Sequence, residues 1–375
     1  MRRALARVNL AAIERNCRRL VDAADGAHLC AVVKADGYGH GAVPAAHAAL
    51  AGGATWLAVA TALEAADLRS AGVEARVLVV GALSESELRI AVDARADVVA
   101  WREGFVAALA ALPGAEGIGV HVKLDTGMGR LGTRDRGAAD RVAASVAGEP
   151  RLRLAGAMTH FATADDDPVF LRAQIDAFTP WVEALRAAHP GLVVHAANSA
   201  ATLECPDARF DMVRCGIAIY GLDPFHRDPA DRGLEPALSL HSYLAEVKHC
   251  LPGQSAGYGR RFVAREPVWL GTAPIGYGDG VRRGLSDNAE VLVGGRRRPV
   301  VGTISMDNLQ VDLGPGDDAP RLRGAPIVLI GTEGDQRLLA EEVAARLQTI
   351  NYEVTCGISA RVPREYHRDG EPVPA

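Results

Sequence analysis

The residues best suited to chemistry in this chain stand at the ends of apolar runs. Lys34 closes LCAVVK, Lys123 lies in IGVHVKL with Arg130 just beyond it in LDTGMGR, and His160 closes LAGAMTH. Asn198 ends VVHAAN, Ser199 follows it, and Arg214 sits in DMVRC. Taken singly, each has a plain explanation. A strand-end lysine is a solvated rim charge, a lone histidine is structural, and an arginine there is half of an ion pair. Converging on one rim, they would set several cations around a single opening. That arrangement suits an anionic ligand such as a phosphate or a carboxylate.

The runs that carry these residues alternate with Ala-rich amphipathic stretches over the first 230 or so residues. Three more runs, WLAVA, RVLVV and DVVA, stand between LCAVVK and IGVHVKL, and the whole set numbers eight. Short continuous apolar runs suit strands buried on both faces. Segments between them, such as ALEAADLRSAG and SESELRIAVDA, have helical period; Gly72 closes the first and Ser84 is a good N-cap for the second. Eight strand–helix alternations predict an α/β fold with an N-terminal (β/α)₈ TIM-like barrel. The seventh helix has only SAATLE available. In such a barrel, polar residues at the C-terminal strand ends are the catalytic candidates.

After about Leu234 strand-like segments follow one another directly, with a single helical stretch, LLAEEVAARLQ, near the end. This predicts a C-terminal, mostly antiparallel β domain. The expected division is a barrel over 9–232 and a β domain over 233–375, with 1–8 pairing to the latter and DPFHRDPADRG as linker. The run Arg296-Arg297-Arg298 after Gly294-Gly295 reads as a solvated hairpin.

Composition bounds the function class. The chain has 375 residues, 49% hydrophobic and 23% charged, with a net charge of −5. No global field draws it to nucleic acid or anionic lipid. Arg7, Asn9 and Glu14 interrupt the basic N-terminus, so no export signal is expected, and no run approaches a membrane span. Cys17, Cys30, Cys205, Cys215, Cys250 and Cys356 form no metal-like cluster and read as buried reduced thiols of a cytoplasmic protein.

AVVKADGYGHGA at 31–42 resembles the cofactor-binding signature of alanine racemases, the fold-type III pyridoxal phosphate enzymes. The resemblance continues through LDTGMGRLGT, MTHFA, HAANSAAT, VRCGIAIYG, SAGYGRRF, PIGYGDG, TISMDN and NYEVTCGIS, so it spans nearly the whole chain. Ser305, Gly278 and Val281 are the spots within these motifs that bear on pocket detail.

The resemblance implies a role for each residue. Lys34 would carry pyridoxal 5'-phosphate as a Schiff base and serve as one catalytic base; Tyr258 would be the base on the opposite face. A hydrogen-bond chain from Tyr258 through His160 to Arg214 would favour the phenolate, and Arg214 would face the ring nitrogen. Tyr38, Ser199, the backbone at Gly216 and Ile217, and Tyr352 would hold the phosphate, with His160 and Asn198 beside the cofactor. Arg130, Met306, Asp307 and Tyr277 would bind substrate, and Lys123 would be carbamylated so that its anion positions Arg130. No metal is implied. In the family Tyr258, Tyr277 and Met306 would come from a second subunit, so a homodimer is expected.

The activity so implied is interconversion of L- and D-alanine, supplying D-alanine for peptidoglycan. The alternatives are a serine or broad-specificity racemase, a fold-type III decarboxylase of a basic amino acid, and a non-catalytic pyridoxal phosphate carrier. Arg214 and Tyr258 argue against the decarboxylase, which resembles this chain but uses an acidic ring-nitrogen partner and a cysteine donor. The second domain argues against the carrier.

Overall fold

The structure is a computed structural model and describes residues 2–373. By contact the chain forms two compact units: Ile13–Ile219, and the residues before it together with those from Tyr220 onward. The boundary at Ile219 places DPFHRDPADRG inside the second unit. There Asp223 is fully buried and its carboxylate accepts from the Arg227 N–H at 2.8 Å.

After the N-terminal strand β1 (Leu5–Asn9), the first unit holds eight parallel strands: β2 (His28–Val32), β3 (Trp56–Val59), β4 (Arg76–Val79), β5 (Asp97–Ala100), β6 (Ile118–Lys123), β7 (Leu152–Met158), β8 (Val193–His195) and β9 (Met212–Cys215). Pairing of β9 back onto β2, with Cys30 opposite Arg214, closes the barrel. The strands are continuous apolar runs because the ring and the outer helices bury both faces. β3, β5, β6 and β9 are buried at every position.

Local chemistry sets the helix ends. Thr61 and Glu64 form a reciprocal capping box before Ala62–Ser70, at 3.2 and 3.1 Å. Gly72, at φ +78, follows that helix. Ser84 precedes Glu85–Asp93, and the Glu87 carboxylate accepts from its N–H at 2.9 Å. The seventh helix is short, Ser199–Glu204, as SAATLE allows.

The second unit is built on a mostly antiparallel sheet. In it β1 pairs antiparallel with Leu238–Tyr243 and parallel with Arg364–Arg368. Its helix Ala340–Leu347 answers the LLAEEVAARLQ pattern, and a second, Asn351–Cys356, carries Tyr352. The arginine run is one arm of a hairpin. Gly294 and Gly295 turn at φ +58 and +71, and Arg297 pairs with Glu290 and Glu342 at 3.3 and 2.8 Å. None of the six cysteines, all among the described residues, is in a disulfide. Burial holds for four of them, whereas Cys205 is partly exposed and Cys356 fully so.

Candidate functional site

Lys34 begins a turn of rare handedness at the mouth of the barrel. Ala35, Asp36, Gly37 and Tyr38 all have φ between +51 and +61. Left-handed helix costs roughly 1–2 kcal/mol per non-glycine residue, so something must hold it. Glu64 does so on one side: its Oε1 accepts from the Ala35 N–H at 2.6 Å while Oε2 takes the N–H groups of Ala60 and Thr61. Asp36 Oδ1 accepts from the Ala42 N–H at 2.9 Å on the other. Strain of this kind collects where a side chain must be aimed. The turn delivers Lys34 to the rim and tucks Tyr38 into the interior.

Tyr38 meets the loop after β9. A Cβ on Gly216 would lie 2.3 Å from the Tyr38 hydroxyl, so only glycine fits. The Ser199 hydroxyl accepts from the N–H groups of Gly216 and Ala218 at 3.2 and 3.3 Å, and Ile217 is buried between them. Two hydroxyls and a run of backbone N–H groups thus gather around one glycine. This donor set suits a phosphate. The Asn198 amide oxygen caps the Ser199–Glu204 helix, accepting from the Ala201 N–H at 3.0 Å.

Arg214, on β9, is buried. It donates to His195 Nδ1 at 2.9 Å, to the carbonyls of Thr159 and Ala196 at 2.9 and 3.0 Å, and to His160 Nδ1 at 3.2 Å. Burial lowers its pKa to about 10, against the pull of Cys30 and Cys215. It therefore keeps its proton at neutral pH. Burial holds the His160 ring well below the usual histidine range, and Arg214, Lys123, Arg130 and Lys34 push it further down. Four cations thus act on a single imidazole.

Lys123 is almost fully enclosed at the end of β6. Burial, then Arg214 and Arg130, lower its pKa to about 8. The exposed Arg130 rides on a loop that Asp125 shapes. Asp125 accepts from the N–H groups of Gly127 and Gly129 and from Arg134 Nε, at 3.0–3.3 Å. Gln174, buried on the Pro168–Ala188 helix, ties that loop to the next. It donates to Thr126 Oγ1 and to the His160 carbonyl, both at 3.2 Å. Glu64, Asp125 and Gln174 escape a reading aimed at strand ends. The signal for Gln174 was a polar residue on an otherwise apolar helical face.

In the second unit, three loops are joined. The N–H groups of Tyr277 and Gly278 donate to the carbonyls of Ser305 and Met306 at 3.0 and 2.9 Å. The Tyr258 carbonyl accepts from Thr303 Oγ1 at 2.9 Å. Tyr258, Tyr277 and Met306 are 76%, 44% and 51% exposed, unusual for side chains of this size. Beneath them Asp279, fully buried, takes Arg3 in a bidentate pair at 2.7 and 2.8 Å. Asp307 pairs with Arg361 at 2.8 Å, and the Tyr352 ring lies edge-on to His226.

Residues 8–224 match the family model "Alanine racemase, N-terminal domain", and residues 237–366 match "Alanine racemase, C-terminal domain". The chain is 43% identical over 360 residues to the alanine racemase of Geobacillus stearothermophilus, covering 94% of this chain and 90% of that one. It is 42% identical to that of Thermobifida fusca, covering 96% and 97%. The structure of alanine racemase from Streptomyces coelicolor A3(2) superposes with a TM-score of 0.90 at 40% identity, over 97% of each chain.

Proposed function

The chain belongs to the alanine racemase family and is an isomerase, and we propose that it interconverts L- and D-alanine with two opposed bases, Lys34 and Tyr258. The observation that carries this reading is the convergence of Lys34, Lys123, Arg130 and Arg214 on His160, beside a glycine-bounded phosphate cradle. The residues fit pyridoxal phosphate. Lys34 would hold it covalently; Tyr38, Ser199, the backbone at Gly216 and Ile217, and Tyr352 would take its phosphate. Asn198 and His160 would flank it. When bound, the cofactor supplies a carbonyl that captures the substrate amine and a ring that accepts the electron pair left by the α-proton.

The protein's own groups move the proton. Lys34 Nζ would take the α-proton on one face while Tyr258 Oη delivers a proton on the other, and the two exchange roles in the reverse direction. His160 is neutral and its Nδ1 accepts from Arg214, so its one proton is on Nε2. An Nε2–H donor favours a phenolate over a phenol. Arg214 would donate a hydrogen bond to the ring nitrogen and surrender no proton, which would limit carbanion character on the cofactor and disfavour transamination. Arg130, Tyr277, Met306 and the Asp307 backbone would bind the substrate carboxylate and close the entrance. The exposed Tyr258, Tyr277 and Met306 suit delivery to a second copy of the chain, so we read the enzyme as a homodimer with shared sites. Its place is the cytoplasm and its product D-alanine for peptidoglycan; among the described residues no helix is long and apolar enough to cross a membrane.

Incubation with L-alanine and pyridoxal phosphate in heavy water tests the reading. Expected are α-deuterium incorporation and D-alanine. Retained protons, or release of carbon dioxide, would overturn it. L-Serine in parallel reads the substrate breadth.

Lys123 gives a pH-dependent test. Its folded pKa, about 8, lies below the ordinary lysine value, so the fold disfavours the charged form. The charge penalty is full below about 8 and fades as pH rises toward the unfolded value. Neutral amine, the form that captures carbon dioxide, therefore grows as pH passes through about 8. A carbamate there replaces a cation that repels Arg130 with an anion that attracts it. Carbon-13 bicarbonate should give a protein-bound carbamate NMR signal that strengthens over this range and vanishes in Lys123→Ala. A free amine by mass analysis of the native protein would refute the modification.

A further inference from the structure

Behind Arg214 a column of polar side chains runs through the barrel interior. Arg214 Nη1 lies 2.9 Å from His195 Nδ1, and His195 Nε2 lies 2.7 Å from His121 Nδ1. His121 Nε2 then faces Asp97 Oδ2 at 3.7 Å. Both rings are fully buried, and burial lowers the pKa of each, so each is neutral with one proton to place. A guanidinium only donates. His195 must therefore accept at Nδ1 and carry its proton on Nε2. His121 must accept in turn and carry its own on Nε2, pointing at the carboxylate. The direction of both hydrogen bonds follows from one end, and the contact of His121 Nε2 with Asp97, at 3.7 Å, is electrostatic and longer than a hydrogen bond.

The fold makes room for this column. Barrel interiors are ordinarily filled by branched apolar side chains. Here a Cβ on Gly156 of β7 would sit 2.2 Å from His121 Nδ1, and one on Gly119 of β6 would sit 2.4 Å from Asp97 Oδ1. Asp97 opens β5, so it lies at the barrel floor, opposite the mouth. It is pinned there by the Gly119 N–H at 3.0 Å, Arg76 at 2.6 Å and Arg153 at 3.5 Å. Arg76 stacks over Trp56 at 3.6 Å, and the Trp56 ring meets His121 edge-on. Arg214, by contrast, makes its four hydrogen bonds to carbonyls and imidazole nitrogens, none of which carries a charge.

We propose that Asp97 is a positioning residue for racemisation: the fixed anion at the barrel floor attracts the His121 Nε2–H that the proton order from Arg214 turns toward it, holds the two rings in register, and so orients Arg214 and supports its charge at the mouth. This deepens the reading of Arg214 as the ring-nitrogen partner and rests on it. A carboxylate that fixes one catalytic imidazole can be worth about 10⁴ in rate. Acting through two rings and an arginine, Asp97 should contribute about 10–100-fold, the range of supporting partners elsewhere.

Nitrogen-15 NMR of histidine-labelled holoenzyme reads the column without turnover. His121 and His195 should both appear as neutral rings protonated only at Nε2, insensitive to pH across neutrality. Asp97→Asn keeps the shape and removes the charge, and it should shift the His121 Nε2 resonance as the anionic neighbour is lost. Its kcat should fall about 10–100-fold while KM for alanine stays within about twofold, and Asp97→Glu should recover part of the loss. A proton on Nδ1 of either ring would overturn the proposal, as would a folded Asp97→Asn with unchanged kcat. If Asp97→Asn does not fold, the spectrum of the unaltered protein decides alone. Absence of D-alanine would refute the racemase reading but leave that spectrum unchanged, so the two failures are distinguishable.

Discussion

Tyr258→Phe is expected to stop α-proton removal from L-alanine while exchange from D-alanine partly survives. The substitution deletes one oxygen from a side chain that is 76% exposed, so the fold has little to lose. Its local backbone is held by the Thr303 hydrogen bond to the Tyr258 carbonyl, which phenylalanine leaves in place. Chemistry has more to lose. With the phenol gone, the face opposite Lys34 has no base, and general-base removal costs about 10²–10⁴ in rate. Racemisation in either direction should fall by at least that factor, because each direction needs both groups. Single-direction exchange should not: Lys34 can still take a proton from D-alanine and return it to the same face. Deuterium incorporation measured separately from each enantiomer checks this. Equal loss from both would contradict the two-base assignment.

Lys34→Ala should remove exchange from both enantiomers, since it deletes the covalent anchor and the second base together. The left-handed turn should persist, because Glu64 and Asp36 hold it through the backbone N–H groups of Ala35 and Ala42. Circular dichroism and the melting temperature should therefore stay near those of the parent. Mixing this variant with Tyr258→Phe provides a stricter test. If each site combines Lys34 of one subunit with Tyr258 of another, a hybrid dimer contains one site with both bases, and unfolding and refolding the two together restores racemisation. Mixtures that stay inactive despite exchanging subunits would defeat the shared site. Exchange retained in Lys34→Ala alone would defeat the role of the lysine.

The fold was largely legible before any coordinates. All eight apolar runs carry barrel strands, as their alternation with amphipathic segments predicts. Burial on both faces demands continuous apolar residues, and that demand is written locally. The rim residues were legible for the same reason: a lysine, histidine or arginine breaks an apolar run where the strand reaches the mouth. The supports were less visible. Glu64 looks like an ordinary capping residue, and capping it does; its other oxygen holds the strained turn beside Lys34. His121 and His195 sit inside apolar strands, where a histidine reads as core.

Lys34 marks the division. By itself the sequence determined the alternation of elements, the rim on which Lys34, His160 and Arg214 meet, and, through its motifs, the family and its reaction. Only the tertiary structure decided how those groups are charged and aimed. The Lys123 pKa near 8, the neutral His160 and the order of protons from Arg214 to Asp97 arise from burial and from neighbours far apart in the chain. His121 and His195 are separated by 74 positions and touch at 2.7 Å. Protonation is set by the local field and the available donors, which exist only once the barrel has closed.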